Sequence, residues 1–285
     1  MLGVRIRDDA VALTNVATTA SLLDLWKQEA AAPGNVEASV RALGPTGLRL
    51  RYADLDVEPD PARPHLVLPV DVPEVWAAGV TYARSLAARH EETVVKNVYD
   101  RVYDADRPEV FFKATASRCV GPNAYVRIRA DSYWTVPEPE IGLVLSASGD
   151  IVGYTLGNDM SARDIEGANP LYLPQAKIYD NCCSVGPAVL LSSSKPGRFS
   201  IACRVTRLGT VVFQGETSTD QMRRPFEELV RYLTRDNTIP DGTVLLTGTG
   251  IVPTNEFSLR DGDTIEISSP EIGVLRNLAV QRQSI

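Results

Sequence analysis

The sequence predicts a mixed, β-dominated α+β fold with a small N-terminal domain. From residue 72 onwards, short runs of β-branched and apolar residues are bounded by Gly, Pro, Asn or Asp, which is typical of strands joined by turns. Few segments have helical periodicity, and many strands with few helices indicate a mixed fold. The 285 residues, of which 44% are hydrophobic and 23% charged, suffice for a large core.

Residues 1–71 are predicted to form the small domain, and its role is expected to be structural because no polar residues cluster there. ASLLDLWKQEAA indicates a short helix, and GLRLRYADLDV a strand that ends in the turn-rich EPDPARP. Residues 72–285 are predicted to form the main domain, starting with a strand in EVWAAGVTY and a long polar helix over 82–105. A further helix is expected in RRPFEELVRYLTR, and the other expected strands are PEVFFKAT, NAYVRIRA, EIGLVLS, DIVGYTLGND, GPAVLLS, SIACRVTRLG, TVVFQGE, TVLLTGT and DTIEISS.

Composition argues against several classes of partner. The formal net charge of −7 gives no reason to expect a nucleic acid. No apolar stretch approaches the roughly 20 residues of a membrane span, and the N-terminal MLGVRIRDDAVAL is too acidic for a secretory signal. The four cysteines lack CxxC spacing, so we expect free thiols and a cytoplasmic location.

Three carboxylates are expected to converge. Glu138 and Glu140 in VPEPEIGLVL lie two residues apart, so on a strand both face the same way. Asp159 ends the next strand, where Gly157–Asn158 suggest a turn, and antiparallel pairing brings it back beside the glutamates. Like charges in apolar company need a cation, and all-oxygen ligands select Mg²⁺ first, then Mn²⁺ or Ca²⁺. The alternative is an exposed pair of glutamates and an aspartate that caps a helix.

Other polar residues interrupt apolar segments within the same half of the chain. Glu109 and Lys113 alternate onto one face of a strand, and Arg163 and Glu166 share a helical face. The Gly-rich turn LLTGTG could receive a carboxylate through its N–H groups and the hydroxyls of Thr247 and Thr249. Surface ion pairs and an empty turn are the alternatives. The candidate substrate-contacting and catalytic residues are Glu109, Lys113, Arg163, Glu166, Lys177 and Thr249.

The ordered motifs FFKAT, VPEPEIGLVL, GYTLGNDMSARDIE, QAKIYDNCCSVGPAV and LLTGTGIVP resemble the fumarylacetoacetate hydrolase superfamily over residues 72–280. The resemblance implies a catalytic domain with a β-roll, assembly as a homodimer or homotetramer, and a Mg²⁺ or Mn²⁺ site at one end of the roll. It also implies roles for individual residues. The implied metal ligands are Glu138, Glu140 and Asp159, and the implied pocket residues are Arg163, Glu166 (Gln in many relatives), Lys177 and Thr249.

One departure from the family narrows the expected chemistry. Hydrolases of the family carry Asn-Tyr-x-x-His, in which the histidine helps to activate water. Here the segment is TYARS, so Ser85 takes the histidine position as a substrate-binding candidate, and His90 is expected on the surface of a polar helix. Ser85 alone is a poor base for attack by water.

The longer motifs NVYDRVYDADRPEVFFKAT and DIEGANPLYLPQAKIYD resemble a narrower branch, the 2-keto-3-deoxy-pentonate dehydratases. This resemblance implies metal-dependent conversion of a 2-keto acid, 2-keto-3-deoxy-D-arabinonate, to 2,5-dioxopentanoate and water. Lys177 and Glu109 are then the candidate base and acid, in an order the residues leave open. The alternatives are an acylpyruvate hydrolase, a decarboxylase or isomerase, and a non-catalytic metabolite-binding protein.

Overall fold

The computed structural model describes residues 3–6, 10–14, 45–83, 103–191 and 196–281. The strands in these ranges are β1 (Gly3–Ile6), β2 (Ala10–Thr14), β3 (Pro45–Arg51), β4 (Glu74–Gly79), β5 (Glu109–Thr115), β6 (Cys119–Val120), β7 (Tyr125–Ile128), β8 (Thr135–Val136), β9 (Pro139–Leu145), β10 (Ile151–Asp159), β11 (Ser161–Ala162), β12 (Cys183–Leu191), β13 (Ser200–Arg207), β14 (Thr210–Ser218), β15 (Thr243–Leu246), β16 (Thr264–Ser269) and β17 (Gly273–Gln281). The α-helices there are α1 (Tyr52–Leu55), α2 (Arg163–Ala168), α3 (Leu173–Lys177) and α4 (Phe226–Leu233).

Two large sheets form the body of the molecule. A seven-stranded sheet has the order β5-β4-β15-β9-β10-β12-β6, and a five-stranded sheet the order β14-β13-β16-β17-β7. Most neighbours are antiparallel, but β4–β15, β6–β12 and β7–β17 are parallel. Two smaller sheets contain β1-β2-β3 and β8-β11. The predicted β-dominated α+β fold is therefore confirmed.

The seven-stranded sheet is buried on both faces, which explains the unbroken apolar run of β9. Ile141, Leu143 and Leu145 face a core that includes β13, β16 and β17 of the five-stranded sheet. Val144 points to the opposite face, into a second core with β4 and β15. Because side chains alternate along a strand, Glu140 shares the face of Val144.

The N-terminal sheet is separate in its strand pairing, but the chain after it reaches the main body. Within the described residues, β1, β2 and β3 pair only with one another. Val70 and Val72 are buried in the core that contains β4 and β15. The predicted helix in ASLLDLWKQEAA and residues 84–102 of the predicted long helix lie outside the described residues.

Three local expectations were wrong or incomplete. The strand expected in GLRLRYADLDV ends at Arg51, because helix α1 begins at Tyr52. The turn expected at Gly157–Asn158 is wrong, because both residues lie in β10, opposite Glu140 and Pro139 of β9. Strand β17 was missed, since its partly buried side chains alternate weakly with exposed ones. In the described ranges, no helix has both the length and the apolar character that a membrane crossing requires.

Candidate metal centre and active site

Three buried carboxylates meet where β9 begins and β10 ends. Glu138 precedes β9, Glu140 lies within it, and Asp159 is the last residue of β10. The N–H of Asp159 donates to the carbonyl of Glu138 at 2.9 Å, which fixes the register between the two strands. One oxygen from each carboxylate lies within 4.8 Å of the other two, and none of the three residues is more than 4% exposed. The predicted convergence is therefore observed.

Cationic side chains of the protein surround two of these carboxylates. Lys177, at the end of α3, donates to Oε2 of Glu138 at 2.6 Å and to Oδ2 of Asp159 at 2.9 Å. It also donates to Oγ of Ser161 at 2.6 Å. Nη2 of Arg163 donates to Oε1 of Glu138 at 2.7 Å. The sequence pattern predicted that a metal ion alone neutralises the carboxylate charges. In the structure, the ammonium group of Lys177 and the guanidinium group of Arg163 also neutralise them.

Lys113 approaches the same cluster from behind Asp159. Its Nζ lies 2.6 Å from Oδ1 of Asp159 and donates to the carbonyls of Met160 at 2.9 Å and Lys177 at 2.5 Å. Burial opposes the charge, but the neighbouring groups together, Asp159 foremost, outweigh burial and raise the pKa of Lys113 above its ordinary value. Lys113 is fully buried and does not line the cavity, so the geometry indicates support of Asp159 rather than contact with a substrate.

Glu140 differs from the other two carboxylates in its partners. Its Oε2 accepts a hydrogen bond from the N–H of Gly248 at 2.5 Å. Burial first, and then the charges of Asp159 and Glu138, raise the pKa of Glu140 well above its ordinary value; Lys177 and the Gly248 N–H offset this only in part. An additional cation would favour the ionised form of Glu140. The all-oxygen donor set therefore fits a hard divalent ion such as Mg²⁺.

This raised pKa predicts how pH and Mg²⁺ act on stability. Between the ordinary and the raised pKa, the folded state holds a proton on Glu140 that the unfolded state has lost, so the free energy of unfolding falls as pH rises. Mg²⁺ requires the ionised carboxylate and competes with that proton. We expect the Mg²⁺-induced rise in Tm to increase from about pH 5 to about pH 8, measured by thermal unfolding. A Tm increment that is independent of pH, or equal in Glu140→Gln, would contradict this expectation.

A cavity with about 360 Å³ of empty volume opens beside the carboxylates. Six of the predicted site residues line this cavity: Glu109, Glu138, Arg163, Glu166, Lys177 and Thr249. Glu140 and Asp159 lie next to Glu138 but do not line the cavity. Ser85 and His90 lie outside the described residues. The lining residues are Ala78, Gly79, Val80, Glu109, Phe111, Glu138, Arg163, Glu166, Lys177, Gly248 and Thr249.

Helix α2 holds Arg163 and Glu166 on the cavity side, as the sequence pattern predicted. Both side chains are buried, with 3% and 2% exposed. The helix is tied to the preceding loop by Asp164, which accepts hydrogen bonds from Oγ of Ser132 at 2.7 Å and from the N–H of Tyr133 at 3.1 Å. These bonds hold the two cavity residues in place.

The turn after β15 closes the cavity over Glu140. The hydroxyl of Thr247 donates to the carbonyl of Ile141 at 2.9 Å, so it serves the backbone and not a ligand, contrary to the sequence-based suggestion. Gly248 has φ +88°, and a Cβ there would lie 2.1 Å from Oγ1 of Thr81. Only glycine fits both constraints. The N–H of Gly248 donates a hydrogen bond to the Glu140 carboxylate, while Thr249 lines the cavity.

Sequence reasoning missed several residues of the site. Ser161 bonds Lys177, and its position two residues after Asp159 was a usable signal. Gly79 and Val80 line the cavity at the end of β4. Val80 has φ +52°, which is unusual for a β-branched residue and marks strain at a functional position. No pattern in the sequence indicates that conformation.

A β-rich body with a buried three-carboxylate cluster beside a polar cavity defines a candidate metal-dependent enzyme. The family model "Fumarylacetoacetate (FAA) hydrolase C-terminal" matches residues 74–280, so the chain belongs to the fumarylacetoacetate hydrolase family. The family resemblance expected from the ordered motifs is thereby confirmed.

Individual relatives carry more specific names. The chain is 52% identical over 215 residues to "Probable 2-keto-3-deoxyxylonate dehydratase" of Haloferax volcanii, covering 75% of this chain and 74% of that protein. It is 48% identical over 223 residues to 2-dehydro-3-deoxy-D-arabinonate dehydratase of Saccharolobus solfataricus, covering 76% and 75%. The solved structure "2-keto-3-deoxy-D-arabinonate dehydratase complexed with magnesium and 2,5-dioxopentanoate" aligns with a TM-score of 0.82 at 36% identity, covering 99% of this chain and 95% of that one.

Proposed function

We propose that this protein is a Mg²⁺-dependent dehydratase of 2-keto-3-deoxy sugar acids, converting 2-keto-3-deoxy-D-arabinonate to 2,5-dioxopentanoate and water. The observation that carries the proposal is that Lys177 and Glu109 line one cavity together with Glu138, a member of the carboxylate cluster. Dehydration needs a cation site, a base and an acid at one place. The names of the relatives at 52% and 48% identity support the same reaction.

The residues of the cluster suit the recognition of a 2-keto acid. Glu138, Glu140 and Asp159 would hold the cation. A bound Mg²⁺ supplies positive charge that polarises the keto group and makes the C3 protons more acidic. Arg163 adds a guanidinium beside Glu138, suited to the carboxylate end of the substrate. Glu166 and Thr249 supply hydrogen-bonding groups for the hydroxyl groups of the sugar acid.

Two proton transfers then release water. Lys177 contacts two of the carboxylates that would hold the cation, so we assign its neutral amine form to the end of the substrate that carries C1 to C3, as the base at C3. Glu109 is assigned as the acid that protonates the C4 hydroxyl. The C4–O bond breaks, one water leaves with the added proton, and a C3–C4 double bond forms. Tautomerisation moves one hydrogen from C5 and one from its hydroxyl group to C3 and C4, which leaves an aldehyde at C5.

The composition of the cavity favours loss of water over attack by water. No histidine is among the described residues that line it. A hydrolase needs a base for the attacking water, whereas in dehydration water is the leaving group.

The distinguishing experiment compares two substrates in the presence of Mg²⁺. We expect 2-keto-3-deoxy-D-arabinonate to give one dicarbonyl product without a shortened fragment, and an acylpyruvate to be cleaved poorly, as measured by mass spectrometry of both mixtures. The protein treated with a chelator is the control. Efficient release of pyruvate from the acylpyruvate, without dehydration of the sugar acid, would support a hydrolase instead.

Because water is the leaving group, Ser85→His is expected to leave dehydration unimproved.

We also propose a small domain over residues 1–71, a catalytic domain over 72–285, a homodimer or homotetramer, and a cytoplasmic location. The start of the family match at residue 74 supports the domain division. The four cysteines are buried free thiols, which suits a reducing compartment. Light scattering of the purified protein tests the oligomeric state.

A further inference from the structure

Glu109 reaches the cavity across a neighbouring strand. It is the first residue of β5, and its partner in the antiparallel pairing is Gly79, the last residue of β4. Both residues line the cavity together with Lys177. The cross-strand neighbour of a proposed acid is therefore a residue without a side chain.

The side chain of Glu109 occupies the space that a side chain at position 79 would need. A Cβ on Gly79 would lie 1.9 Å from Oε2 of Glu109, 2.6 Å from its Cδ and 3.3 Å from its Cγ. Contacts of 1.9 and 2.6 Å are far inside van der Waals separation. The carboxylate of Glu109 thus lies directly over the Cα of Gly79.

Position 79 requires glycine because a side chain there would clash with Glu109, and not because of its backbone conformation. Gly79 is not among the described residues with positive φ, so alanine can adopt its backbone geometry. Gly248 differs, since it combines φ +88° with a clash against Thr81. The nearest atoms to an added Cβ at position 79 all belong to the Glu109 side chain, so that side chain is what must move.

The backbone around Gly79 is held on both sides. Ala78 before it belongs to the main hydrophobic core. Thr81 after it donates from Oγ1 to the carbonyl of Thr247 at 2.7 Å, and its own carbonyl accepts from the N–H of Arg223 at 2.9 Å. A clash at position 79 is therefore relieved by rotation of Glu109 rather than by displacement of β4.

We propose that Gly79 is a positioning residue for Glu109: the absence of a side chain lets the Glu109 carboxylate lie over β4 and enter the cavity that Lys177 also lines. This inference rests on the proposed function for the role of Glu109 as the acid.

The kinetic test is a double-mutant cycle of Gly79→Ala and Glu109→Gln. We expect each single variant to lower kcat by roughly 10²-fold or more with little change in KM, and the double variant to be no slower than Glu109→Gln alone. Gly79→Ala should also change the pH profile of kcat, as Glu109→Gln does. Gly197→Ala is the matched control, because a Cβ there meets nothing within 4 Å, and it should behave as wild type.

A crystal structure of Gly79→Ala supplies a measurement that does not depend on turnover. We expect the Glu109 carboxylate to be displaced by more than about 1 Å, with β4 unchanged in position. Mg²⁺ affinity, measured by titration calorimetry, should equal that of the wild type. An unmoved carboxylate, a Gly79→Ala variant with wild-type kcat, or losses that add in the double variant would each overturn the inference. Failure of the wild type to dehydrate any sugar acid would contradict the proposed function, while the crystal structure would still decide the role of Gly79.

Discussion

Replacing Glu140 with glutamine is expected to abolish turnover while leaving the fold intact. The amide keeps the shape of the side chain and its acceptor for the N–H of Gly248, but it removes the charge that holds a divalent cation. The loss should exceed the roughly 10–100-fold that follows removal of an outer partner of a metal ligand. The measurements are Mg²⁺ affinity by titration calorimetry and the rate of aldehyde formation.

The same substitution is expected to abolish turnover without lowering the stability of the metal-free protein. Burial and two neighbouring carboxylates make an ionised Glu140 unfavourable, so the metal-free Glu140→Gln variant should be at least as stable as the metal-free wild type near neutral pH. Glu256→Gln, at an exposed loop position, is the matched control and should change neither property. Near-normal turnover of Glu140→Gln at limiting Mg²⁺ would disprove the metal assignment.

Replacing Lys177 with methionine is expected to lower kcat by roughly 10²–10⁴-fold at saturating Mg²⁺, the usual scale for a proton-transfer group. The side chain is 2% exposed and contacts Glu138 and Asp159, so its removal leaves two buried carboxylates short of a cation. The metal-free variant should lose about 3–5 kcal/mol of unfolding free energy. Mg²⁺ should restore much of this loss, which thermal unfolding with and without Mg²⁺ measures.

Lys113→Met is the informative comparison for Lys177→Met. Lys113 also contacts Asp159 but does not line the cavity. Its loss should lower stability and Mg²⁺ affinity, whereas kcat at saturating Mg²⁺ should fall much less than in Lys177→Met.

If Lys177→Met changes only KM, Lys177 binds the substrate and Glu109 becomes the leading base.

The metal cluster was predictable because its determinants are local. A two-residue spacing places Glu138 and Glu140 on one side, and a single antiparallel connection returns Asp159 beside them. The ordered motifs also sufficed for the family, as the match over residues 74–280 confirms. The substrate-contacting and catalytic roles of individual residues stay predictions until the variants are measured.

Residue patterns along the chain were enough to predict the β-dominated fold, the family and three clustered carboxylates. They could not predict that Lys113 contacts Asp159 from behind, or that Gly248 donates to Glu140 across 108 positions of the chain; the folded structure shows both. It alone also revealed that Gly79 makes room for Glu109. Strand periodicity fixes which way a side chain points along its own strand, but not which residue of a distant segment lies opposite. That choice depends on sheet order and register, which the packing of the whole chain sets.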